Sequence, residues 1–344
     1  MSTFTSTQTL RSISWIAGLI FMLSIPAIFS DGATFKIGLV LIFLIAAFGL
    51  HLLVNWTGEL SLAHGAVVGL SALSVAAISS SLQINSVALI PVGVLVGALC
   101  GLVMAAVAFR VKGFFVAIVT LALSVAISSY FFKQEWLVGS GTVLTSTSDV
   151  GPLRFVTPQD VYPVLAVVTV ASTALFVALS RSKYRRALLL IKADPQVASS
   201  QGINVSLYRS SAYVVAGAMA GLAGAMTSAW VGVVSPATFP QQLSFTYLIV
   251  VVFAGPGSLF ALIEVVLLLQ GFQAFVSTTN FFLVYLGPLG FILTLTKFPG
   301  GLSEQNRDFA TKMRRRLGRR RHRPDALIDP SLTAADRGAD CEHV

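Results

Sequence analysis

Charge is what this sequence has least of. Asp, Glu, Lys and Arg make up 11% of its 344 residues, where an ordinary soluble domain carries about a quarter. So thin a supply cannot cover a water-exposed surface of this length, which excludes a soluble enzyme, a nucleic-acid-binding protein and a disordered chain. Cysteine is nearly absent too. Of the two present, Cys100 lies in an apolar run and Cys341 in the polar C-terminal stretch, so neither a disulfide framework nor a Cys-based metal site is available. Phosphate-loop, zinc-ligand and nucleophile-elbow patterns are missing as well. The chain therefore carries no machinery for ATP hydrolysis, and no cofactor or metal is expected in it.

What is abundant is apolar: 55% of residues are hydrophobic and the mean hydropathy is +0.83. A crossing of the hydrocarbon core takes about 20 apolar residues, and charge-free stretches of that order recur along the chain. They predict an all-α, polytopic membrane protein of about ten transmembrane helices, near 14–30, 36–55, 60–80, 86–109, 113–132, 161–180, 211–231, 243–254, 260–277 and 281–298. The first could be read as a signal peptide because Arg11 precedes it. Ile28 and Ser30 make a poor cleavage site, so a retained helix is expected.

Lys and Arg outnumber Asp and Glu by 23 to 14, and their placement fixes the expected orientation. With both termini cytoplasmic, twenty basic residues fall inside and only Lys36, Lys133 and Arg154 outside. The domain layout that follows is a cytoplasmic N-terminus at 1–13 and a transmembrane domain at 14–298. An external loop at 133–160 and a cytoplasmic loop at 181–210 belong to it, and a basic, disordered tail runs from 299 to 344. Nine of the basic residues lie between Arg307 and Arg323, a cluster suited to anionic lipid.

Glycines spaced four apart (Gly65 and Gly69; Gly93, Gly97 and Gly101; Gly217 and Gly221) share a helix face and let backbones approach closely. They predict a tight bundle and say nothing of cargo. Three polar features stand out. In the 181–210 loop, Asp194 and Pro195 signal a helix start, and Gly202 past Gln201 suits a left-handed cap. That short helix is either an ordinary connector or a docking helix that receives force from a soluble partner. Residues 55–65 place Thr57, Gly58, Glu59, Ser61 and His64 between two apolar runs. Such groups line a pathway at a broken helix, or they form an interfacial turn with Glu59 in water and His64 bonded inside the bundle. Glu264 follows the Gly255–Pro256–Gly257–Ser258 turn and reads as an interfacial group near a helix start.

Several blocks together resemble one family, the M-type permease subunits of branched-chain amino acid ABC importers. They are GLHLLVNWTGELSLAHGAVVGLSA at 49–72, VKGFFVAIVTLALS at 111–124, QGINVSLYRSSAYVVAGAMAGLAGAM at 201–226, VSPATF at 234–239 and FPGGL at 298–302. The resemblance implies a permease of the bacterial plasma (inner) membrane that forms half of a translocation pathway. Its implied partners are a paralogous permease, two ABC ATPase subunits that bind the ATP, an external substrate-binding protein and membrane lipid. It also implies that 181–210 holds the coupling helix that sits in a cleft of the ATPase, with Pro195, Gln196, Val197, Ala198, Gly202, Ile203 and Asn204 at that contact. The importer pattern there begins with Glu, whereas this chain has Gln196, so docking rests on shape and apolar contact. Relatives commonly have Gln at the position of Glu59. Branched-chain amino acids are the implied cargo, with urea, amides or small carboxylates as the alternative within the family. An ion-coupled secondary transporter is the alternative of another class, and it would need Glu59, His64 or Glu264 to titrate inside the bundle.

Overall fold

A computed structural model describes residues 22–271 apart from 27, 112, 114, 140, 146–157, 257 and 258. The expected span at 281–298, both terminal segments, FPGGL at 298–302 and most of the expected first span lie outside the described residues.

The described chain is a helical bundle with seven helices long and apolar enough to cross a membrane, as expected of a polytopic membrane protein. The central one is α1 (Asp31–His51), which continues as one π-helical stretch, Leu52–Thr57. Every residue from Val40 to Thr57 is buried, and a helix apolar all round belongs in the interior. It begins at Asp31 rather than at 36, because Asp31 sits in its first turn, where the dipole favours an acid, and Lys36 faces outward. Aromatic stacking fixes its neighbours: Phe43 on Tyr247 with centroids 4.2 Å apart, Phe48 on Phe176 at 5.1 Å and Phe35 on Trp230 at 5.9 Å.

Then follow α2 (His64–Leu82), α3 (Ile90–Ala108), α4 (Phe115–Tyr130) and α5 (Pro158–Arg181). Two shorter helices come next, α6 (Lys183–Ala193) and α7 (Pro195–Ser200). The long α8 (Val205–Val231), α9 (Gln242–Ala254) and α10 (Leu259–Val266) follow, and a π-helical stretch, Leu267–Gly271, ends the described chain. At 27 residues, α8 is about 40 Å long and packs on α3, α2 and α1. It starts six residues earlier than the charge-free run at 211–231 predicts, because Arg209 lies inside it with its charge paired to Glu59.

The two glycine rows expected to share a helix face do meet. Gly217 and Gly221 on α8 face Gly93, Gly97 and Gly101 on α3, so closely that a Cβ at Gly97 would overlap the Gly217 carbonyl and the Gly221 backbone. Ser71 on α2 ties the same junction: its hydroxyl donates to the Gly221 carbonyl at 2.7 Å, with that of Gly93 3.1 Å away. Gly65 packs against Ser244 of α9, and Gly69 against Phe132 and Phe239.

At the C-terminal end of α8 the chain forms a two-residue strand, β2 (Val233–Val234). It pairs antiparallel with β1 (Val143–Leu144) from the segment after α4. Thr145 adds its amide and hydroxyl to the Gly232 carbonyl at 2.9 and 3.0 Å. The expected external loop is thereby tied to one end of α8, and the 181–210 segment adjoins the other.

Candidate functional site

The segment 181–210 is mostly helical. After Ser182, α6 turns Ala187, Leu188 and Ile191 inward and buries them, which leaves its cations at the edge and outside. Arg185 lies over the Trp56 ring, 5.7 Å from its centroid. The Lys192 Nζ donates to the Asn55 carbonyl at 3.1 Å, and desolvation there lowers its pKa from the ordinary lysine value. Tyr184 stacks on Tyr208 at 5.8 Å and shares a hydrogen bond with Ser211 at 3.0 Å. Burial raises its pKa, outweighing the Ser211 bond.

Local chemistry then builds α7. The Asp194 carboxylate accepts from the amides of Gln196 at 2.7 Å and Val197 at 3.2 Å, while Pro195 takes the first turn, where no amide is needed. At the other end Gly202 adopts φ +79°, a conformation that Cβ-bearing residues avoid. The Ile203 amide reaches the Ala198 carbonyl at 3.1 Å, and that of Gly202 reaches Ser199 at 3.0 Å, the paired bonds of a Schellman cap. Asn204 at once caps α8 by accepting from the Leu207 amide at 3.1 Å. The result is a pre-formed six-residue helix held out from the bundle. Ala198 is its one buried residue, and Val197 leaves 43% of its surface exposed. Beside it is a recess of about 390 Å³ whose lining includes Lys183, Arg186, Leu190, Gln201, Ile203 and Tyr208.

Removing the cap should loosen this helix without touching the bundle. Asp194→Ala is expected to cost α7 about 1 kcal/mol, seen as roughly fivefold faster hydrogen exchange at the Gln196 and Val197 amides, with rates in α3 and α8 unchanged.

The second group of candidates packs against the first. The π-stretch ends at Gly58, φ +78°, and a Cβ there would press on the Lys192 stem at 3.2 Å. Thr57 is buried and its hydroxyl donates to the Leu53 carbonyl at 2.5 Å. Glu59 is only 7% exposed and is ion-paired to Arg209, whose Nε and Nη2 both reach its Oε1. The expectation of Glu59 in water is therefore corrected: the partner that makes its burial tolerable comes from α8. His64 fits the bonded reading. It starts α2, its Nε2 donates to the Ala46 carbonyl at 2.8 Å, and its ring meets Tyr247 edge-on. Ser61 is fully buried, and the non-helical backbone between α1 and α2 is held by the hydroxyl of Thr120, which accepts from Leu62 at 3.0 Å. Ser244 does the same for Gly65 at 3.0 Å. Glu264, on α10, is exposed.

Sequence reasoning missed Arg209, Lys192, Thr120 and Ser244. The one available signal was Arg209, a cation two residues before the expected start of the span at 211. The seven residues of the α7 contact and the Thr57–Glu59 turn thus form one region, joined through α6 and the first turns of α8. Ser61 and His64 lie deeper, toward α9, and the glycine rows hold the helices that carry both.

Comparison with known proteins gives a consistent answer. Residues 32–293 match the family described as branched-chain amino acid transport system, permease component. Two relatives are the high-affinity branched-chain amino acid transport system permease proteins LivM of Escherichia coli K12 and of Salmonella typhimurium LT2. They are 25% identical to this chain over 280 and 279 residues, which is 74% of this chain and 66% of each relative. The chain thus covers just under two thirds of those relatives' length. No solved structure matches it.

Proposed function

Since this chain belongs to the branched-chain amino acid transport system permease family, we propose that it forms one membrane-spanning half of an ATP-driven importer for branched-chain or related amino acids. It is a multi-pass protein of the bacterial inner membrane and has a transport role. A paralogous permease supplies the other half of the pathway, and two ABC ATPase subunits bind and hydrolyse the ATP. An external binding protein delivers the cargo near the end of α8 that carries β1 and β2, while the α6–α7 end faces the cytoplasm.

The observation that carries this reading is α7. Asp194 and the Gly202 cap hold it away from the bundle, and Val197 is exposed on it. An apolar side chain on a short, rigid, protruding helix is what a cleft in a soluble motor would hold. Gln196, where the importer pattern has Glu, removes one charge from that contact and leaves shape and apolar burial to do the docking.

The test is uptake of radiolabelled leucine into vesicles containing this chain, its paralogous permease and the ATPases, with the loaded binding protein outside. ATP inside the cytoplasmic compartment is expected to drive accumulation. Accumulation driven by a proton or sodium gradient without ATP would overturn the proposal.

A further inference from the structure

The stretch from Asn55 to Glu59, where α1 gives way to the turn before α2, is gripped by side chains of α6 and α8, while Thr120 holds the turn further on at Leu62. Three cations hold it, and all three belong to the elements that flank α7: Arg185 over Trp56 and Lys192 on the Asn55 carbonyl, both from α6, and Arg209 of α8 on Glu59. Asp194 alone separates α6 from α7, and four residues, 201–204, separate α7 from α8. Glu59 is nearly enclosed, and a buried carboxylate separated from Arg209, its one ion-pair partner among the described residues, would bear a heavy desolvation cost. The two side chains must therefore travel together. What they hold is also the deformable part of α1, a π-helical stretch, a geometry found mostly as single turns at functional positions. From there the buried part of α1, from Val40 on, leads to the stacked Phe48–Phe176 and Phe43–Tyr247 pairs.

We propose that the Glu59–Arg209 ion pair is the strut through which movement of α7 reaches the membrane-spanning core, pulling on the π-helical end of α1 when the motors close. The proposal rests on the importer reading above, and it makes Glu59 and Arg209 positioning residues for transport rather than groups that meet the cargo. Lys192 and Arg185 form the remainder of the clamp, with the Lys192 stem packed against Gly58.

The experiment uses the assembled transporter in vesicles, with leucine, isoleucine and valine together as the probe. Cargo taken up is measured against ATP hydrolysed for Glu59→Gln, Arg209→Gln, the double variant, Arg209→Lys and Lys192→Gln. Both single neutral variants are expected to retain the ATPases on purification and to lose at least tenfold in uptake per ATP. The double variant should be no worse than the more affected single, since either change already empties the pair. Arg209→Lys keeps the charge and should stay within about threefold of the unsubstituted chain. Lys192→Gln, which leaves the ion pair in place, should lose only severalfold and covers the case in which a neutral variant fails to accumulate. Uptake per ATP unchanged in Glu59→Gln, or uptake and hydrolysis falling in step in every variant as for a purely structural pair, would overturn the strut. Failure of the unsubstituted chain to retain ATPases would instead overturn the importer reading.

Discussion

Replacing Gly97 by leucine is expected to abolish accumulation of the folded chain in the membrane. The Cβ alone would overlap the Gly217 carbonyl and come within 2.6 Å of the Gly221 Cα. These are backbone atoms of α8, so no side-chain rotation can make room and the two helices must separate. An overpacked core ordinarily costs about 1–3 kcal/mol. Here the cost exceeds that range, because separation also breaks the Ser71 link to Gly221 and the small-residue contact along both helices. Against a total stability of about 5–15 kcal/mol, that is enough to reduce the monodisperse fraction on size exclusion at least tenfold. Leu99→Ala, two residues along α3 on a face that leaves leucine 54% exposed, is the control and should change the yield little.

Val197→Asp should have the opposite profile. The side chain is 43% exposed on α7 and supports nothing inside the bundle, so the folded yield should stay within twofold of normal. A carboxylate placed in an apolar contact would lose its hydration without gaining a partner. The ATPases are therefore expected to fall away on purification, with a loss of at least tenfold in retention, or about 1.4 kcal/mol or more of binding, and ATP-driven uptake should go with them. Retention of the ATPases by this variant would move the docking contact elsewhere on the 181–210 segment. Loss of the folded chain itself would mean that Val197 packs within the bundle.

The contrast between these variants follows what was legible in the residues. Features written in local chemistry were readable: the start of α7 at Asp194 and Pro195, its end at Gly202, and the glycine faces of α3 and α8, since spacing by four on a helix needs no knowledge of the partner. Features that depend on a distant partner were not. Arg209 looks like a loop residue when charge marks the limits of a span, and only Glu59, far away in sequence, brings it into α8. The same pairing moved Glu59 out of water. Ser71, Thr120 and Ser244 resemble any other hydroxyls in apolar runs, yet each satisfies or fastens backbone where helices meet or break. The pairing of β1 with β2 was invisible because two-residue strands carry no alternation to read.

ATP-driven transport by this chain requires α7 to be cytoplasmic and held by the motors. The most direct measurement is the reactivity of Ser200→Cys, an exposed and conservative change at the end of α7, toward a membrane-impermeant maleimide, compared with the unsubstituted chain. Labelling is expected in inverted membrane vesicles and not in intact cells, with protection of the inverted vesicles when the ATPase subunits are assembled. Labelling of intact cells, or full reactivity in the presence of the assembled ATPases, would contradict it.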